Sequence, residues 1–252
     1  MDALNARKIR GAGAPESHWL AWLDAQCFPR ASLYELCPGP SRLVVVAPHP
    51  DDEVLACGGL LAMRAECGLP SLVVAVTDGE ASHGTMDSLA RARLSNRRVD
   101  ERIAGLQALG LAPSCVARLG IPDGEVAKLI PAIVKKLLSL LRPSDVVVTT
   151  WALDGHPDHE ASCAATQQAS VLMGCRLLQA PVWMWHWAAP GDPRMPWNNL
   201  VAFDLTELAL SAKRRALSRH QSQLEKRGAG LGPVLIPSIV ERATRAREYF
   251  FL

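Results

Sequence analysis

No stretch of this chain approaches the roughly 20 consecutive apolar residues that a membrane-spanning helix needs. Its basic N-terminal segment, MDALNARKIRGAGAPESHW, likewise has no apolar run to act as a signal core. A soluble, cytoplasmic protein is expected. The 27 lysines and arginines barely outnumber the 25 aspartates and glutamates, so no chain-wide field draws in polyanions, and nucleic acid is not an expected partner. No Cys-x-x-Cys pair occurs among the seven cysteines. Their odd number and their placement in apolar helical patterns point to reduced thiols in place of a disulfide framework. Solenoid-type repeats and low-complexity tracts are also missing.

What is present is the patterning of an α/β protein. At 252 residues the chain is long enough for one sizeable core, and one domain is expected. From Arg42 onward, short β-branched runs (RLVVVA, SLVVAVT, SCVARLG, DVVVTTW) alternate with longer helical ones. Such runs separated by helices predict parallel strands joined by crossovers: a doubly wound, mostly parallel sheet with helices on both faces. Residues 1–40, with an amphipathic stretch and a Pro/Gly-rich link, read as an N-terminal extension to a single domain over 41–252. After Arg176 the rhythm changes. RLLQAPVWMWHWAAPGDPRMPW suits an extended strand and a structured loop, LVAFDL a strand, and TELALSAKRRALSRHQSQLEKR a helix capped by Thr206. PSIVERATRAREYFFL reads as a terminal helix.

Ligands of open α/β sheets bind outside the carboxyl ends of the strands. Two loops leaving such strands are rich in ligand-type side chains: Pro48-His49-Pro50-Asp51-Asp52-Glu53 and Asp154-Gly155-His156-Pro157-Asp158-His159. Each proline biases the preceding histidine away from helix, so each histidine sits in an extended turn just before a helix begins. Helix N-termini welcome acidic residues, which alone would account for one such loop. Two at the ends of two buried strands point to a divalent metal site. Two imidazoles and a carboxylate with an open fourth position form a hydrolytic zinc arrangement, in which the metal lowers the pKa of its bound water to about 7. His49, Asp52 and His159 can supply those ligands. Asp51 is then left as a general base, His156 as an imidazolium for an oxyanion, and Asp158 as a hydrogen-bonding partner that holds a histidine. Glu53 is most simply a residue of the helix's first turn.

PHPDDE after the first strand, paired with HPDH after a later one, resembles the LmbE-like or PIG-L family of zinc-dependent N-acetylglucosamine deacetylases. TDGE, the Arg98-x-x-Glu101 spacing, IPDG at 121–124 and KRRALSRHQSQ extend the resemblance over roughly residues 42–252. The resemblance implies a Rossmann-like fold with a variable C-terminal part over the site. It also implies hydrolysis of an acetamide on a sugar amine with release of acetate. His49, Asp52 and His159 resemble the family's zinc ligands, Asp51 its base, and His156 and Asp158 its oxyanion-side histidine and partner. The expected cofactor is Zn²⁺, one per chain, and the expected partner a small amino-sugar conjugate. Oligomeric state, a homo-oligomer included, is left open. Some family members add a tyrosine at the oxyanion, whereas this chain has only Tyr34 and Tyr249, neither of which matches that position.

Around this core set, Arg98 is a candidate to hold a substrate hydroxyl or phosphate, with Glu101 one turn on as the alternative partner for its charge. Asp78 is a candidate substrate contact from the loop after the second strand. Trp183, Trp185 and Trp187 would share one face of a strand, either packing in the core or, with Trp197, stacking on a sugar. His18, His83 and His220 are not expected to be ligands, and Ser222 and Gln223 are given a structural role. Two rival activities fit the same residues: a metal-dependent amidase on another amide, such as a thiol conjugate of an amino sugar, and a catalytically silent sugar-binding module. The presence of both Asp51 and the full ligand set argues against the second.

Overall fold

A computed structural model describes residues 7–9, 11–227 and 230–252 of the chain. Residues 1–6 and 10 of the expected N-terminal extension lie outside the described residues. Seven strands form one sheet: β1 (Leu43–Ala47), β2 (Ser71–Ala75), β3 (Val116–Arg118), β4 (Val146–Thr150), β5 (Arg176–Ala180), β6 (Leu200–Asp204) and β7 (Arg247–Phe251), in the order β3-β2-β1-β4-β5-β7-β6. β1 to β5 are mutually parallel, and β7 runs antiparallel to both β5 and β6.

The period of two along β1 explains how both faces are covered. Leu43 and Val45 join a core with α3 (Asp52–Glu66), α4 (Ser88–Ala108) and α8 (Glu207–Leu217). Val44 and Val46 face the opposite core, beside α5 (Ile130–Leu140) and α6 (Pro157–Met173). Because β1 pairs with β2 on one side and β4 on the other, the winding direction reverses between β1 and β4. The loops leaving these two strands therefore flank the switch point at which such sheets bind ligands.

A third cluster joins the N-terminal residues to the far edge. α1 (Glu16–Ala25) buries Trp19 and Leu23 against Trp151, Trp185, Tyr249 and Phe251, and the Trp19 Nε1–H donates to the Trp185 carbonyl at 3.0 Å. Arg30 bridges to Ala202 of β6, and a four-residue helix, α2 (Leu33–Leu36), carries a full capping box from Ser32 and Glu35.

The C-terminal third departs from the pattern reading in three places. The segment after β5 does not continue as a strand: Met184–Trp187 form a short helix, α7, so the tryptophans do not share a strand face. The helix capped by Thr206, whose side chain accepts from Ala209 N, ends at Leu217, and a second short helix, α9 (Gln221–Leu224), follows a break at His220. The terminal segment is a helix only over Pro237–Ala243 (α10), after which Arg247–Phe251 enter the sheet as β7, buried from Glu248 onward. The aromatic pair Phe250-Phe251 fits a pleated, buried position better than a helix face.

α3 is bent at Cys57 (φ −150°, ψ 30°). The bend frees backbone groups that find side chains instead: Gly59 N and Leu60 N donate to the Glu248 carboxylate at 2.7 and 2.9 Å, and Lys213 Nζ reaches the Leu55 carbonyl at 3.2 Å. Lys213 and Glu248 pair at 2.7 Å, both almost fully buried. β7 is thereby tied to the helix that carries the first ligand loop.

All seven cysteines are free thiols. Among the described residues, no helix is long and apolar enough to cross a membrane.

Candidate metal centre

β1 ends at Ala47, and Pro48 O is held by Thr77 through both N–H (3.0 Å) and Oγ1–H (2.8 Å), which fixes where the next residue starts. Asp52 opens α3 and turns its carboxylate back: Oδ2 accepts from His49 N at 2.9 Å and lies 3.2 Å from His49 Nδ1. The same oxygen lies 3.1 Å from Nε2 of His159, in the first turn of α6. Asp154 Oδ2 takes the Nδ1 side of His159 at 2.8 Å. Fully buried, His159 Nε2 has no partner of hydrogen-bond geometry among the described residues.

These atoms fit a metal. Imidazole and carboxylate ligands at about 2.0–2.1 Å from zinc sit about 3.3 Å apart at tetrahedral corners, close to the 3.1 and 3.2 Å separations found. The outward nitrogens are held too: His159 Nδ1 by Asp154, and His49 Nε2 by Asp123 (3.2 Å) and Asp158 (3.3 Å), as metal-bound histidines require. His156 brings a ring nitrogen within 4.8 Å of ligand atoms of His49 and His159, its ring 4.9 Å from each of the other two.

The electrostatics agree. Burial opposes charge on His49, yet Asp123, Asp158 and Asp52 raise its pKa well above the ordinary value. Burial likewise opposes charge on His159, and Asp52 and Asp154 carry it up to about 9. Asp52, despite burial, is held well below the carboxylate range by His159 and His49. Without metal, protons on the two rings offset a field created by converging carboxylates, the field a divalent cation would neutralise.

Asp51 sits beside this point with a backbone almost reserved for glycine, at φ 123° and ψ −28°. It occupies the N-cap position of α3, but its carboxylate caps nothing and lies 3.4 Å from Arg98. Burial pushes it up to about 7, with Asp52 and Glu53 adding to the rise and Arg98 opposing it. That value suits a base working near neutrality. His156 departs from the imidazolium expectation: burial first, then the neighbouring His159 and His49, lower it to about 3. Its Nδ1 accepts from Asp158 N at 3.2 Å, so the neutral ring carries its proton on Nε2 and acts as a donor. The Asp158 carboxylate turns to His49 and Gly124 N (2.7 Å), and only its backbone N–H serves His156.

Arg98 is buried beneath the loop, donating to Pro50 O (2.7 Å) and Gly79 O (2.8 Å). It positions Asp51. Glu101 is not its partner: that carboxylate pairs with Arg97 and accepts from Ser222 N and Oγ. Asp78 stays away from the centre, paired with Arg118 of β3 at 2.5 Å. Glu53 stands in the first turn of α3 as expected, and it is wholly buried there, 3.5 Å from Arg102. A cavity of about 350 Å³ opens over the site, edged by Leu55, Trp183, Gln223, Arg227, Val234 and Leu235. Of the segment's four tryptophans only Trp183 borders it, since Trp185 and Trp197 pack with Trp19 and Trp187 Nε1 donates to Asp154 O. The pattern reading missed Asp123 and Asp154 as holders of the two histidines. Each lay in a quoted motif, but only the packing of neighbouring loops brings it to a ring.

Residues 44–170 match the PIG-L family, described as GlcNAc-PI de-N-acetylase. Over 139 residues the chain is 29% identical to the probable N-acetyl-alpha-D-glucosaminyl L-malate deacetylase 2 of Bacillus subtilis (strain 168), covering 51% of this chain and 60% of that protein. Over 125 residues it is 29% identical to the diacetylchitobiose deacetylase of Thermococcus kodakarensis, covering 47% of this chain and 45% of the relative. The chain thus spans about half the length of the curated relatives it matches. The crystal structure of an antimicrobial reagent A40926 pseudoaglycone deacetylase superposes with a TM-score of 0.64 at 24% identity, covering 84% of this chain and 97% of that one, which establishes a shared fold. With the match running from β1 through nearly all of α6, and so through both ligand loops, the chain belongs to the PIG-L family.

Proposed function

We propose that this protein is a zinc-dependent hydrolase that removes the N-acetyl group from an N-acetylglucosamine-type unit of a small glycoconjugate, releasing acetate. The observation that carries the reading is the buried His159 Nε2, 3.1 Å from Asp52 Oδ2 and without a hydrogen bond of good geometry, with the Asp51 carboxylate beside them capping nothing and, among the described residues, paired only with Arg98. His49, Asp52 and His159 would hold the ion. When bound, it would lower the pKa of a water and polarise the acetamide carbonyl.

The chain's own groups do the rest. Asp51, held at about 7 by burial, takes the proton of the attacking water. Arg98 keeps that carboxylate and the Pro50 carbonyl in place. His156 offers Nε2–H to the carbonyl oxygen as negative charge builds there, and the protonated Asp51 returns its proton to the leaving amine. Leu55, Trp183, Val234 and Leu235 give the cavity an apolar wall suited to a sugar face or an apolar aglycone. Exposed Cys27 and Cys67 fit a reducing, cytoplasmic setting.

The test is acetate release from a panel of N-acetylglucosamine conjugates, with and without a chelator, on protein assayed for metal. One zinc per chain and chelator-sensitive release are expected. Zinc-loaded protein inactive on every conjugate would overturn the reading.

A further inference from the structure

The proposed reaction uses the histidines and acids that line the cavity, and Arg98 beneath them, but it leaves out Arg227, a half-buried cation on the rim. Backbone holds this guanidinium at two corners: Nε donates to Gly232 O at 2.8 Å and NH1 to Ser82 O at 3.0 Å. These contacts staple the segment after α9 to the loop after β2. The third nitrogen, NH2, has no hydrogen-bond partner among the described residues, and it stays open to solvent. A staple has no use for it.

The charge is unmatched as well. Three arginines act on His83, next to Ser82; burial first, then Arg227, Arg98 and Arg97, lower its pKa. Arg98 faces Asp51 at 3.4 Å, and Arg97 pairs with Glu101 and Glu225 at 3.0 Å each. Arg227 has no carboxylate within ion-pair distance among the described residues. A guanidinium cannot shed its proton, so the rim carries a fixed positive charge in a set orientation. Oriented in this way, it has already lost the rotamer freedom that binding an anion would otherwise cost.

Its position says which part of a substrate it meets. His49 Nε2 lies 3.2 Å from Asp123 Oδ1, Asp123 Oδ2 accepts from Ala81 N at 2.8 Å, and the next residue, Ser82, accepts from Arg227. The cation thus stands along the wall beyond Asp123 and the 81–82 turn, away from the atoms that would hold the ion. Val234 and Leu235 share the rim and exclude water, which strengthens a charge-assisted hydrogen bond.

We propose that Arg227 selects substrates whose aglycone carries an oxyanion, a carboxylate or a phosphate, received by the open NH2 while the acetamide lies at the metal centre. The inference rests on the deacetylase reading above and adds to it the chemical class of the group attached to the sugar.

Steady-state rates of zinc-loaded protein on two matched pairs test it: the carboxymethyl glycoside of N-acetylglucosamine against its primary amide, and N-acetylglucosamine 1-phosphate against the methyl glycoside. In at least one pair the charged member should be favoured about 10- to 100-fold in kcat/KM, carried mainly by KM, as befits a hydrogen bond to a charged group. The pair that shows the preference tells carboxylate from phosphate. Arg227→Gln should bring that ratio close to one, and Arg227→Lys should keep part of it. An arginine with only a structural role would lower both members together and leave the ratio as in wild type; that result overturns the proposal, and so does a wild-type ratio near one in both pairs. Failure of the deacetylase reading looks different: no member of either pair releases acetate, and both inferences fall.

Discussion

Replacing Asp154 by asparagine changes one atom in a wholly buried carboxylate that touches no solvent. Asp154 Oδ2 accepts from His159 Nδ1 at 2.8 Å and Trp183 N at 3.0 Å, and Oδ1 accepts from Val182 N and Met184 N at 2.9 and 3.0 Å. Four donors face it, and an amide presents one acceptor oxygen and one NH2. If the oxygen keeps Val182 and Met184, the NH2 meets His159 Nδ1, which must become an acceptor. The ring proton then moves to Nε2, the atom that faces Asp52. If the oxygen keeps His159, two backbone N–H groups lose their acceptor, at about 1–3 kcal/mol each. In the first case Trp183 N is left without an acceptor and the proton now on Nε2 closes that atom to the metal; loss of such a carboxylate partner typically weakens metal binding 10- to 100-fold, or about 1.4–2.7 kcal/mol. Competition with a chromophoric chelator measures zinc affinity directly, and melting of metal-free protein measures the second cost. Zinc affinity within threefold of wild type, with an unchanged apo Tm, would refute the assignment of Asp154 as the group that orients His159.

Asp51→Asn should retain zinc while turnover falls by about 10²–10⁴, as loss of a general base does; metal analysis alongside steady-state rates checks both halves. Gly79 has φ +69°, and a β-carbon there would overlap Arg98, so Gly79→Ala should displace the arginine that positions Asp51 and lower kcat with little change in zinc content. His220 is buried with neither ring nitrogen partnered among the described residues, and burial, then Arg98 and Arg102, hold it at about 3. Protonation therefore favours the unfolded chain: its stability contribution is intact above pH 6.5 and erodes as pH falls toward 3, by up to about 1.4 kcal/mol per unit. His220→Leu should be close to neutral at pH 7 and flatten the acid limb in urea melts of metal-free protein. Glu248→Gln strands buried Lys213 and should cost about 3–5 kcal/mol, read as a fall in urea midpoint.

The sheet was legible because Val44–Val46, Val73–Val74 and Val146–Val148 are β-branched runs between long helical stretches, and buried parallel strands admit little else. The two ligand loops were legible because histidine, proline and aspartate in that order have few structural reasons to follow such strands twice. Less visible were partnerships fixed by which loops become neighbours. Glu101 stands one turn from Arg98 in sequence yet bonds Ser222 on α9, and Asp123 reaches His49 only because β3 lies beyond β2 in the sheet. The Trp-rich segment misled by periodicity. Alternating tryptophans suit a strand, but three backbone N–H groups converge on Asp154 and wind the chain into a helical turn instead.

Asp51 holds a backbone conformation that an L-residue tolerates poorly, a strain of order 1–3 kcal/mol. Glycine would relieve it and add stability, while deleting the carboxylate that the proposed reaction needs. The opening turn of α3 is thus a place where the most stable sequence and the working sequence differ, and efforts to make this protein hardier should leave position 51 untouched.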